Sequence, residues 1–305
     1  MTSIALATSG LTKRYGHRTA VDGLDLELPT GVVAGFVGPN GAGKTTTMAM
    51  LLGLVRPTSG TATVLGRPID RPAAYLHDVG ALIESPAFYP ALTGVENLRV
   101  LATVGGHDAD RIPALLELVG LGGRGDDRYR GYSLGMKQRL GIAAAMLGDP
   151  KLLILDEPSN GLDPQGMREM RELIVRLSRA DRTVLVSSHV LSELEQVCDW
   201  LVLIDTGRTL FQGPAREFLA GSDGLAIAPE RIDDLPRLAE LLTGGGHRVV
   251  RRDDHLVATV DGDPARTAAA VNRAAHDAGI VLVELHAERS TLEERYLTMV
   301  QGGAR

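Results

Sequence analysis

Gly38-Pro39-Asn40-Gly41-Ala42-Gly43-Lys44-Thr45 is the stretch from which the rest of the chain can be read. It fits G-x-x-x-x-G-K-[ST], a loop whose glycines let several backbone N–H groups converge on phosphate oxygens. The apolar run 32–37 precedes it and has strand length, while residues 46–54 after it are compatible with a helix. Strand, glycine loop and helix form the context this pattern requires, because the helix adds the positive end of its dipole to the anion site. Lys44 is expected to reach the terminal phosphates, the Thr45 hydroxyl to ligate Mg²⁺, and Thr46 to lie beside them.

Leu152-Leu153-Ile154-Leu155-Asp156-Glu157 supplies a second half. An apolar strand delivers Asp156 to the metal and places Glu157 where a carboxylate can orient and deprotonate an attacking water. Alone, two acids after an apolar strand describe an ordinary strand end. Paired with the glycine loop in an α/β chain, they read as the metal ligand and general base of a Mg²⁺-dependent P-loop NTPase.

The rest of the chain supports an α/β fold. Residues 4–11 and 21–28 read as strands broken by Gly16, Gly23 and Pro29. From 97 to 147 the pattern is mostly helical, with glycine breaks at 105–106 and 122–123. Strand 152–155, helix 167–180, strand 184–187, helix 191–197 and strand 201–204 then alternate, which implies a parallel sheet. A helix around 215–219 leads to a small-residue boundary, Ala220-Gly221-Ser222-Asp223-Gly224. Two domains follow from this, 1–220 with a helical subdomain at about 90–148, and 221–305. The tail reads as strand 225–228, helix 235–242, strands 248–251 and 256–260, helix 265–278 and strand 281–286. That order is a small ferredoxin-like βαββαβ domain, closed by a helix at 292–300.

Composition narrows the class. The chain has 305 residues, 44% of them hydrophobic, so a substantial core is available. With 32 basic against 38 acidic residues the net charge is −6, which gives no support for nucleic-acid binding. Cys198 is the single cysteine, so no intramolecular disulfide or thiolate-rich metal site forms, and its apolar setting reads as buried packing. There is no leader pattern and no run of about 18 apolar residues. The expectation is a cytoplasmic protein, peripheral on the inner face of the cell membrane, that reaches the bilayer only by docking to a partner.

Tyr132-Ser133-Leu134-Gly135-Met136-Lys137-Gln138-Arg139 resembles the signature motif of ABC proteins, usually L-S-G-G-Q. Leu134 and Met136-Lys137 depart from it; Ser133 and Gly135 match. A serine there also serves as an ordinary helix N-cap. The resemblance implies that Ser133 and Gly135 face the γ-phosphate of an opposite subunit, so that two ATPase domains sandwich two ATPs. Four further marks stand in the family's order. Tyr15, in Lys13-Arg14-Tyr15-Gly16, matches the aromatic that stacks on adenine. Asp163, in Gly161-Leu162-Asp163-Pro164, matches the D-loop, and His189, after Ser187-Ser188, matches the switch histidine that helps hold base and water. Glu84, in Ile83-Glu84-Ser85-Pro86, stands where most ABC proteins carry the Q-loop glutamine and is implied as a metal and nucleotide contact. This glutamate is similar to the bacitracin and lantibiotic resistance branch of exporter ATPases.

The resemblance spans about residues 4–220. It implies an ATP-hydrolysing subunit, as a homodimer or with a paired ATPase subunit, that drives export of a drug, peptide antibiotic or lipid-like substrate through a separate membrane permease. The permease is expected to dock on the surface after Glu84 that carries Phe88 and Tyr89. An importer ATPase is the alternative, and a soluble non-transport ABC ATPase stands further off because the chain has one motif set and no extended heptad run. The role of 221–305 stays open between dimer support, ligand sensing and simple extension.

Overall fold

The computed structural model describes residues 3–84, 86–178, 182–219, 223–260 and 263–289, together with 292, 293, 295, 296 and 299. These fall into two compact units, Met1–Ala215 and Arg216–Arg305.

The first unit begins with a long antiparallel hairpin, β1 (Ile4–Tyr15) and β2 (Arg18–Pro29), turned at Gly16-His17. Alternation along β2 puts Val21, Leu24, Leu26 and Leu28 inward and polar residues outward. Next come β3 (Val33–Val37), helix α1 (Lys44–Leu51), β4 (Ser59–Val64), β5 (Arg67–Pro68) and β6 (Val79–Leu82). Helices α2 (Gly94–Gly105), α3 (Ile112–Leu118) and α4 (Leu134–Ala145) follow, then β7 (Leu152–Leu155), α5 (Pro164–Leu177), β8 (Thr183–Ser188), α6 (Leu191–Leu194), β9 (Trp200–Asp205) and β10 (Arg208–Pro214); α7 (Ala215–Leu219) starts at the last residue of this unit and belongs otherwise to the second.

Two sheets form. One has the order β2-β1-β4-β5; the other is β10-β9-β3-β8-β7-β6, parallel except for its β10 edge. Every residue of β3, β7 and β8 is buried, which explains their near-continuous apolar runs. The core joins both sheets through Leu6, Leu26, Phe36, Met48, Ile154 and Val202. Cys198 is buried, as its setting implies, and burial pushes its thiol far above the ordinary value. Its Sγ would lie 3.0 Å from a Cβ on Gly35, so β3 keeps a glycine where that sulfur packs.

Several elements differ from the sequence reading. The strand expected at 4–11 continues to Tyr15, because β2 pairs with its second half as far as Tyr15 opposite Arg18. Strands β4, β5, β6 and β10 are unanticipated. Pro57, Gly60 and Pro68 make the first two read as loop, and β10 is a polar edge strand ending Gly213-Pro214. Helix 167–180 starts earlier, at Pro164, where the Asp163 carboxylate accepts from Gly166 N at 2.8 Å; residues 179–180 lie outside the described ones. Helix 191–197 is cut to Leu191–Leu194 because the chain must turn for Asp199 to meet the start of β3, with Asp199 N donating to Val33 O at 2.9 Å and Val33 N donating to Asp199 Oδ2 at 3.1 Å. In the helical region, α2 opens on a capping box in which Thr93 and Glu96 satisfy each other's backbone N–H.

The second unit contains β11 (Asp223–Pro229), α8 (Leu235–Gly244), β12 (Val249–Arg252), β13 (His255–Thr259), α9 (Pro264–Asp277) and β14 (Leu282–Arg289). Its sheet has the all-antiparallel order β12-β13-β11-β14, the arrangement of a βαββαβ split sandwich. Leu225, Ile227, Leu256 and Ala258 meet Leu235, Leu238, Leu242, Val271 and Ala275 in its core. The boundary residues 220–222 and most of the helix expected at 292–300 lie outside the described residues. No helix among the described residues is long and apolar enough to cross a membrane.

Candidate active site

The C-terminal ends of β3, β7 and β8 converge on one edge of the parallel sheet, the usual place for a ligand in such folds. The loop 38–43 leaves β3 there and wraps onto α1. Two glycines are required by close approach. A Cβ on Gly38 would sit 2.4 Å from Ile204 O, and one on Gly43, whose φ is 101°, would sit 2.5 Å from Ala20 O. Ala42 is buried beneath the loop.

Lys44 is 6% exposed, and its ammonium is held by three oxygens: Gly38 O at 2.7 Å, Pro39 O at 3.4 Å and Glu157 Oε1 at 3.2 Å. The motif lysine is therefore already aimed into the loop. Beside it the Thr45 hydroxyl donates to Asp156 Oδ2 at 2.7 Å. A hydroxyl and a carboxylate so close, next to a phosphate loop, suit a small hard cation that completes its shell with phosphate oxygens and water.

Asp156 and Glu157 leave β7 in opposite senses. Asp156 is buried and accepts from Ser187 Oγ at 2.5 Å, while the same Oγ accepts from Glu157 N at 2.9 Å. Glu157 has a φ of 47°, a region that costs a non-glycine residue energy and that recurs at functional sites. This turn aims its carboxylate back at Lys44, and its second oxygen, Oε2, lies 2.6 Å from His189 Nδ1. An ionised carboxylate only accepts, so this contact places the imidazole proton on Nδ1. Glu157, Lys44 and His189 thus form one connected group.

A cavity of about 350 Å³ opens over the loop, lined by Tyr15, Arg18, Asn40, Gly41, Lys44, Thr45, Thr46 and Glu157 among others. Tyr15 is half-exposed, with the Lys13 ammonium 4.9 Å from its ring centroid, a flat face for a planar ligand. Arg18 was not anticipated. It pairs with Tyr15 across the hairpin, so both side chains share one face, and its guanidinium would lie 3.6 Å from a Cβ on Gly41. The two-residue spacer between Tyr15 and Arg18 is the one sequence signal that could have found it.

Other expected residues lie elsewhere. Ser133, Gly135 and Asp163 line a separate surface cavity of about 420 Å³ with Leu134, Leu162 and Arg139. There Ser133 Oγ accepts from Met136 N at 3.3 Å as the N-cap of α4, and Asp163 caps α5. The Arg139 guanidinium pairs with the Glu169 carboxylate between the two helices. Hydrogen bonds from Gln165 and then Arg139 hold Glu169 below the usual carboxylate range. Glu84 follows β6 with a φ of 58°, is exposed, and lines neither cavity.

Comparisons with known proteins agree with this geometry. The family model described as ABC transporter matches residues 21–160. The chain is 46% identical over 215 residues to the bacitracin transport ATP-binding protein BcrA of Bacillus licheniformis, covering 70% of each chain. It is 42% identical over 207 residues to the lantibiotic transport ATP-binding protein SrtF of Streptococcus pyogenes, covering 68% of this chain and 90% of that one. Among solved structures, cbiO1 from Clostridium perfringens, described as part of the ABC transporter complex cbiONQ, superposes with a TM-score of 0.64 at 26% identity, over 72% of this chain and 91% of that one.

Proposed function

Because the chain belongs to the ATP-binding subunits of ABC transporters, we propose that it powers export of a drug, peptide antibiotic or lipid-like compound through a separate membrane permease. It binds ATP and hydrolyses it to power transport, as its family does. The observation that carries the hydrolytic assignment is the group Lys44–Glu157–His189 at the mouth of the phosphate loop.

In this reading the loop 38–45 holds the phosphates through backbone N–H groups, and Tyr15 stacks on adenine with Arg18 at the open side. Lys44 releases Glu157 Oε1 and turns to the terminal phosphates. Glu157 then has an oxygen free to orient a water and take its proton, while His189 keeps the carboxylate in place through Nδ1. Mg²⁺, held by Thr45 Oγ1 and Asp156, would supply charge neutralisation on the phosphates, and Ser187 fixes the Asp156 rotamer for it.

Ser133, Gly135 and Asp163 share no cavity with the cradle in one chain. They reach a nucleotide only if a second ATPase subunit presents this face to it, which supports a homodimer or a paired ATPase subunit. Two ATPs are then bound between subunits. Export is supported by the relatives named for bacitracin and lantibiotic transport. Peripheral attachment on the inner face of the membrane follows if a permease is the partner. The surface after Glu84 is its proposed docking site, a reading supported by the exposure of Tyr89 at 62%; Phe88 beside it stacks edge-on against Tyr129 with centroids 5.2 Å apart. Glu84 is proposed to reach the metal and nucleotide only in the loaded, closed state.

Co-expression of the chain with a candidate permease, followed by transport and ATPase assays with bacitracin-like peptides, tests the proposal. Substrate-stimulated hydrolysis and outward transport are expected. Uptake in place of efflux would replace export by import and leave the ATPase assignment standing.

A further inference from the structure

The hydrolytic arrangement leaves one nearby acid unused. Glu193 follows His189 by four residues on α6 and is only 8% exposed. Its Oε1 is buried and has no hydrogen-bond partner among the described residues. Ser159 lies beside it, and the two line a cavity of about 150 Å³ that Glu157, Leu162 and His189 also line. Burial pushes the Glu193 carboxyl above its ordinary value. The Arg171 guanidinium, the Ser159 hydroxyl and His189 oppose that rise, and the Glu157 charge adds to it.

A buried acid with an unpartnered oxygen is costly, and an apolar side chain of similar length would remove the cost. Nothing in the packing of α6 needs a carboxylate, since Leu191 and Leu194 already supply its buried apolar face. The place of Glu193 is nevertheless a mechanical junction. Ser159 belongs to the loop that starts at the strained Glu157 and ends at Asp163, the cap of α5. That loop is cross-tied by Asn160 N to Glu157 O at 3.1 Å and Leu162 N to Ser159 O at 3.2 Å. Further along, a Cβ on Gly161 would lie 3.0 Å from Leu134 on the Ser133 face. On the other side, His189 and Glu193 leave the same turn after β8. A cavity of this size with a carboxylate oxygen and polar walls has room for ordered water.

We propose that Glu193 is a positioning residue for ATP hydrolysis: it ties the Glu157–Asp163 loop to the His189 turn, through the adjacent Ser159 and by cavity water on its free oxygen. The proposal rests on Glu157 being the base. It requires Glu193 to govern the rate of hydrolysis and not the affinity for ATP, because the cavity it lines shares only Glu157 with the nucleotide cavity.

The test uses the full chain with Glu193→Met, Glu193→Gln and Ser159→Ala, measuring kcat, KM for ATP and melting temperature. Glu193→Met is expected to lower kcat by roughly 10- to 100-fold, since misplacing a catalytic group by about 1 Å costs that order. Its KM should stay within about twofold and its melting temperature should hold, because an apolar side chain of similar length replaces a buried acid. Glu193→Gln should recover most of the rate, as the amide keeps a polar group beside Ser159. Ser159→Ala combined with Glu193→Met should cost little more than either alone. A wild-type kcat in Glu193→Met overturns the proposal. So does a fall in rate matched by falls in melting temperature and ATP binding, which marks a packing residue, or a Gln variant as slow as the Met one. Glu157→Gln is the control: if it hydrolyses normally, the assignment of the base fails, a different result from failure at Glu193.

Discussion

The phosphate cradle and the Ser133 face are built from the same parts and finished differently. Each has a hydroxyl residue and glycine at the start of a helix, with α1 behind one and α4 behind the other. At the cradle the central polar groups are held by one another: Lys44 by Glu157, Thr45 by Asp156, and Asp156 by the Ser187 hydroxyl. At the second face Ser133 caps its own helix, Leu134 stands 44% exposed, and the Arg139–Glu169 pair ties α4 to α5 instead of pointing outward. One surface is preorganised for chemistry within a chain. The other, in the proposed reading, acquires chemistry only against another subunit. The difference teaches why a single copy should bind nucleotide yet hydrolyse it poorly.

The sharpest way to break that contrast is at the base. Glu157→Gln should lower turnover by roughly 10²–10⁴-fold, the usual range for a general base. It also removes the charge that competes for Lys44, so ATP affinity should hold or rise, and ATP-loaded dimers should accumulate on size exclusion. Rapid hydrolysis by the variant would remove Glu157 from its role.

Mixing damaged copies tests whether the two faces share a nucleotide. Lys44→Ala should abolish ATP binding, and Ser133→Arg should spare binding while blocking closure. A mixture of the two chains restores one intact composite site and leaves one doubly damaged. Partial ATPase activity above either parent, with ATP-dependent heterodimers, is the expected outcome; binding lost in Ser133→Arg alone would mean that the faces are not separate.

Smaller effects sharpen the cradle itself. Tyr15→Ala should weaken ATP about tenfold, given roughly 1–3 kcal/mol for base–aromatic stacking. Arg18→Gln should weaken it less, and its effect should fade in high salt because the guanidinium is exposed. Fluorescent-nucleotide titrations at two ionic strengths separate these contributions.

The smallest effect belongs to the Ser133 face. Glu169 is lowered below its ordinary value near 4.5 by Gln165 and Arg139. A depressed carboxyl contributes stability that is present above the unfolded value and lost as pH falls through the lower folded one. Its side chain is 42% exposed, so solvent screening limits the contribution to about 0.5 kcal/mol. Glu169→Gln should therefore differ slightly from wild type in denaturant midpoint at pH 7 and converge with it well below pH 4.5.

What the sequence determined by itself is the chemistry that is local along the chain. Gly38–Thr45, Asp156-Glu157 and Ser133-Leu134-Gly135 are each legible as motifs because a loop or helix start needs its residues adjacent. The tail's βαββαβ order was legible for the same reason, since alternating runs and glycine breaks report on neighbours in sequence. Tertiary structure decided what depends on register and on distant partners. Parallel pairing of Leu155 with Val186 is what sets Ser187 against Asp156. The hairpin register of Tyr15 with Arg18 is what turns an ordinary arginine toward the cradle. β4, β5 and β10 exist because the neighbouring strands offer unpaired edges, not because their own Gly-, Pro- and Arg-containing residues favour extension. No motif in the sequence marks Glu193. Only the meeting of the loops after β7 and β8 encloses it, because burial is a property of what folds over a side chain and not of the side chain itself.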